Sequence, residues 1–229
     1  MRRLLALLLA SGTVALANER LPVDHVRFAA TGGRVLVLTS GVKDGSGLGT
    51  ASLSVLSTTS GVTLYRRSRL ADLPPNTLRG WVLATPPTPA RLTAWGLQPG
   101  RVHTARFNRT YPTPFPQWSD AVTSGQSQQT PVPLWTQPVP VELDVYALPS
   151  TCPYPDMLGG AVPAGFRLSV NGQVVFQDAA LPADRRCAAG YTLERVDVQG
   201  NRALLTVRAY VPGFEGPDAE PVFVAVTLN

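Results

Sequence analysis

The chain has 229 residues, a formal net charge of +5, 22 prolines and 20 glycines, with charged residues at 15%. So many turn formers exclude a helical bundle, and the Val-, Thr- and Leu-rich runs between them read as short strands. The arginines are dispersed, with Arg66-Arg67-Ser68-Arg69 the one tight cluster, and they are not interleaved with aromatics along any segment. Nucleic-acid binding is therefore not expected, and the cluster reads as a solvated strand end.

The first seventeen residues have the three parts of a secretory leader: Arg2-Arg3, the apolar run Leu4–Leu9, and Ala15-Leu16-Ala17 as the small-residue exit. The run is far short of the ~20 residues a membrane-spanning helix needs. No cysteine follows it to carry a lipid anchor, and no second long apolar stretch appears. The expectation is a protein secreted or periplasmic after cleavage near Ala17, with no transmembrane anchor in the mature chain. Losing Arg2 and Arg3 lowers its formal charge to +3.

Residues 18–107 read as an N-terminal β meander plus short helices. Strands are expected at 26–30, 34–39, 51–55 and 61–65, with Gly32-Gly33 as the first turn. A helical insertion near 76–95 follows: Thr88 as cap, Pro89 at the first helical position and Gly96 past the end predict a two-turn helix, with 76–84 as its partner. Residues 108–137, rich in Pro, Ser and Gln, read as a long loop or hinge. Residues 138–229 form a C-terminal β region packed with the N-terminal half as one domain, with Asn171-Gly172 the strongest hairpin signal. The fold class is mainly β, antiparallel meanders building a sandwich or a partial propeller-like stack.

The chemistry-bearing residues are few. Cys152 and Cys187 are the only cysteines, and in an exported protein they predict a disulfide. His25 and His103 have no Cys, Asp or second His at ligand spacing, which leaves a zinc site or serine triad without its imidazole. Ser40-Gly41-Val42-Lys43 fits the Ser-x-x-Lys nucleophile box, but a strand runs into a glycine loop there. Lys43 is also the only lysine, so no Lys-Thr-Gly exists.

Glu142 and Asp144 lie two apart on one strand and so share a face; the alternation with Val and Leu marks a solvated sheet surface, against a glycosidase pair. Asp44, and Glu215 with Asp218, offer oxygen ligands on glycine turns. Calcium is thus the one cofactor weighed, although neither loop has a full ligand series. Trp81 and Trp95 read as core. Trp118 and Trp135, in the Pro-rich stretch, are candidates for gripping a sugar ring or peptide, against packing that pins the loop.

Leu181-Pro182-Ala183-Asp184-Arg185-Arg186-Cys187-Ala188-Ala189-Gly190-Tyr191, then a hairpin and Gly213-Phe214-Glu215-Gly216-Pro217-Asp218, resembles a family of bacterial predicted secreted proteins of unknown function. The likeness is strongest over residues 164–228. It implies export and carries no catalytic residue with it. The function expected is a non-catalytic binding or scaffold protein of the cell envelope whose partner, a protein or polymer, the sequence does not name. The alternative is a secreted hydrolase of envelope polysaccharide working through paired carboxylates. The discriminator is whether Glu142, Asp144, Glu215 and Asp218 line one cleft.

Overall fold

A computed structural model describes residues 18–43, 45–97 and 103–228. The expected leader, 1–17, and Asp44 lie outside the described residues. Three antiparallel sheets carry the fold. The first is the meander β1 (Val23–Phe28), β2 (Arg34–Val42), β3 (Gly49–Ser57) and β4 (Thr63–Ala71). Two helices follow, α1 (Pro75–Ala84) and α2 (Thr88–Ala94), then the two-residue strands β5 (Phe107–Asn108) and β6 (Val122–Thr123). A second sheet, in the order β10-β9-β8-β7, is built from β7 (Ser127–Val132), β8 (Val139–Ala147), β9 (Ala164–Val170) and β10 (Gln173–Gln177). The third has β11 (Gly190–Gln199), β12 (Arg202–Pro212) and β13 (Pro217–Thr227), with β5 and β6 completing it along β11.

Strand alternation explains how these sheets stack. On β12, Ala203, Leu205, Val207 and Ala209 meet the inner face of the second sheet (Val141, Leu143, Phe166, Leu168) in one apolar core. Leu204 of β12 points the opposite way, and with Ala225 packs against Val35, Val37 and Leu56 of the first sheet. Covered on both faces, β12 is buried from Ala203 to Tyr210. The first sheet is covered twice as well. Its alternate residues Leu36, Leu38, Leu53 and Val55 pack under Leu78 and Val82 of α1 and Leu92 of α2. The result is four layers, helices–sheet–sheet–sheet. This explains the unbroken apolar run Val35-Leu36-Val37-Leu38, since a strand buried on both faces loses the apolar–polar alternation.

Three local expectations are corrected. Thr88 does not cap α2: it is the first helical residue, and its hydroxyl lies 2.8 Å from the Tyr65 hydroxyl and accepts from Arg67 at 3.1 Å. Gly61 is a turn residue with φ +70°, and β4 begins two residues later. The arginine cluster consequently sits mid-strand; β4 is an edge strand with one side open, which tolerates charge. Residues 108–137 are not a continuous loop, for β6 and β7 lie within them. β7 is polar because only Thr130 and Val132 turn inward from this edge strand, where Pro131 also removes a donor.

The first described residues are tied into this stack. The Ala219 N–H donates to the Glu19 carbonyl at 2.8 Å and the Glu19 N–H to Asp218 Oδ1 at 2.9 Å. Arg20 pairs with Asp120 at 2.8 Å and lies over the Tyr111 ring, and Arg208 donates to the Leu21 carbonyl at 2.7 Å. Cys152 and Cys187 form the expected disulfide.

Candidate functional site

Trp135 stands on the connection between β7 and β8. Its neighbour Leu134 is buried and anchors that connection, while the Trp135 side chain is turned outward and is 45% exposed. The ring borders a cleft of about 500 Å3 between the β3–β4 turn, the β9–β10 hairpin and β13. The hairpin turns at Asn171 (φ 50°) and Gly172 (φ 78°), the left-handed pair that a two-residue turn requires. That turn brings Val174 and Phe176 to one wall; Val62 and Phe223 supply others, and Asn171 and Gln173 add amides. Among the described residues, no ionisable side chain lines this cleft. An exposed indole beside amides and hydroxyls can hold an uncharged ring by stacking and hydrogen bonds.

The other sequence candidates lie elsewhere. Trp118 is half-buried at the start of a short 3-10 turn, Trp118–Asp120, and does not border the Trp135 cleft. Glu142 and Asp144 occupy the outer face of β8, where Asp144 takes two hydrogen bonds from Arg167 at 2.9 and 3.0 Å. Glu215 is exposed on the β12–β13 connection, and Asp218 accepts the Glu19 N–H. The structure thus brings the four carboxylates to two different sheets rather than to one cleft. Among the described residues no group of three or more His, Cys, Asp or Glu is arranged to hold a metal ion. His103 stacks edge-on against Phe28 at 5.3 Å and contacts the Val198 carbonyl, a packing role.

Two of the ion pairs among the described residues join largely buried side chains that sequence reading missed. Asp178 accepts two hydrogen bonds from Arg185, at 2.8 and 2.6 Å, and one from the Phe166 N–H. Arg208, 1% exposed at the centre of β12, is paired with Glu194 and also donates to the Ala219 carbonyl. The Tyr191 hydroxyl beside Arg185 donates to the Ala164 carbonyl, and burial pushes its ionisation well above the ordinary range. These groups are saturated by protein partners: the Tyr191 bond to Ala164 ties the third sheet to the second, and Arg208 with Glu194 joins the paired strands β12 and β11.

No helix among the described residues is long and apolar enough to cross a membrane. Comparison with curated proteins and with solved structures finds no match. A family model does match, and over residues 37–227 it extends far beyond the C-terminal stretch that carried the resemblance. The chain belongs to the family described as Predicted secreted protein (DUF2259), whose function is unknown.

Proposed function

We propose that this is a non-catalytic binding protein of the bacterial cell envelope that holds envelope polysaccharide by stacking a sugar ring on Trp135. The observation that carries the reading is the outward indole at the edge of a 500 Å3 cleft whose lining has hydroxyls and amides and no ionisable group. Glu142 and Asp144 take no part in it, since neither borders this cleft. In this reading the chain reaches the envelope after removal of the leader near Ala17, so N-terminal sequencing of the exported protein finds Asn18 first.

The test is co-sedimentation of the purified 18–229 protein with insoluble envelope polysaccharide. Trp135→Ala is expected to reduce the sedimented fraction at least fivefold and to leave the melting temperature unchanged, because the ring is exposed. A wild-type protein that stays in the supernatant, or a variant that sediments equally well, overturns the reading.

A further inference from the structure

A second cleft, of about 580 Å3, opens on the other side of Phe223, between the first sheet and β13. Its floor follows from strand register. Thr39, Ser52 and Ser68 are directly opposite one another across β2, β3 and β4, and Ser54 is opposite Arg66 in the next row on the same face. Neighbouring positions in such a grid are ~5 Å apart across strands and ~7 Å along them. Thr39 and Ser54 are largely buried as residues, Ser52 is half-buried and Ser68 exposed, and none of the four hydroxyls makes a hydrogen bond among the described residues, which leaves them open to the cleft. Hydroxyls without a protein partner at the floor of a cleft are free to bond what enters it.

The charges around this floor are unequal in availability. Lys43 is held by Glu19 and Glu220, and Arg185 by Asp178. Arg66 is exposed and has no carboxylate partner among the described residues. Asp184 and Glu220, also in the lining, are acceptors suited to hydroxyl donors. One free guanidinium, a grid of hydroxyls and two carboxylate acceptors together ask for a small ligand with one anionic group and several hydroxyls.

We infer that this cleft binds an acidic sugar unit, its carboxylate on Arg66 and its hydroxyls on Ser52, Ser54, Thr39 and the rim carboxylates. The inference rests on the reading of the protein as a polysaccharide binder and adds a charged subsite to it. A guanidinium is the cation whose fork matches a carboxylate with two parallel hydrogen bonds.

Calorimetric titration of the 18–229 protein with D-galacturonate, D-galactose and inorganic phosphate tests the assignment. Galacturonate is expected to bind saturably and at least tenfold more tightly than either galactose or phosphate. Arg66→Gln is expected to weaken galacturonate at least tenfold without changing the melting temperature. Ser52→Ala combined with Ser54→Ala weakens it as well. Equal binding of galactose or of phosphate, no binding at all, or an unaffected Arg66→Gln protein overturns the inference. The titration is repeated on Trp135→Ala: retained uronate binding with lost sedimentation separates the two sites, and loss of both overturns the assignment of the uronate to this cleft.

Discussion

At the scale of single residues, the most consequential group is Asp178. It is buried, and it supplies both oxygens to Arg185 while also accepting the Phe166 N–H. Removing one partner of a buried ion pair leaves the other charge without compensation, at a cost of about 3–5 kcal/mol. Asp178→Ala should lose that much in urea denaturation. Asp178→Leu combined with Arg185→Met should lose distinctly less, because no stranded charge remains. Similar losses from the two proteins would mean that packing, rather than the pairing of charges, dominates there. Neither Asp178 nor Arg208 stands out in the sequence: Asp178 follows β10 and meets Arg185 of a short turn seven residues on, while Arg208 sits mid-strand and meets Glu194 only through the pairing of β12 with β11.

At the scale of elements, the loop holding the short 3-10 turn Pro155–Leu158 is joined to the entrance of β11 by the Cys152–Cys187 bridge, across 35 residues. Closing a loop of that length contributes about 3–4 kcal/mol in the chain-entropy model. Replacing both cysteines with serine should lower the melting temperature by roughly 10 °C. A loss of only a degree or two would show that the 183–189 segment is held chiefly by the Arg185–Asp178 pair.

Elements governed by local rules were legible in advance. Asn171-Gly172 announced its hairpin through backbone conformations that few residue pairs adopt, and the Val141–Val145 alternation announced a strand with one wet face. Thr88 was misread because its hydroxyl had two possible employers, the helix backbone and Tyr65 with Arg67, and only the tertiary contact decides between them. The alternation Ser52-Leu53-Ser54-Val55 was visible as a strand pattern. Its serine face becomes a cleft floor only because β13 lies opposite, which no local pattern encodes. Trp135 was legible as a candidate, while Val62, Val174 and Phe223 around it come from three separate turns and strands.

At the scale of the whole molecule, four tyrosines carry a common signature. Burial raises the ionisation of Tyr111, Tyr146, Tyr191 and Tyr210 above the ordinary phenol value. The unfolded chain releases these protons near pH 10, whereas the folded chain retains them, so above that pH the folded state binds more protons. Their contribution is therefore fully present below pH 10 and is lost as pH rises toward the folded-state values. Melting temperatures followed by circular dichroism should be level in this respect up to about pH 9.5 and fall steeply beyond it. Tyr191→Phe should make that fall shallower. An unchanged slope would mean that Tyr191 does not differ between the folded and unfolded chain.

The tethering of residues 18–21 bears on the order of events during synthesis and export. Glu19 meets Lys43 nearby, but Asp120, Arg208 and Asp218, which also hold these residues, lie between 100 and 199 positions further along. The bonds that tie Glu19 and Leu21 to β12 and β13 consequently cannot form until that hairpin has been made. A polypeptide that emerges front end first would carry these contacts unmade for nearly its whole length. It would become a closed body only when its last strands arrive to seal its first residues in place.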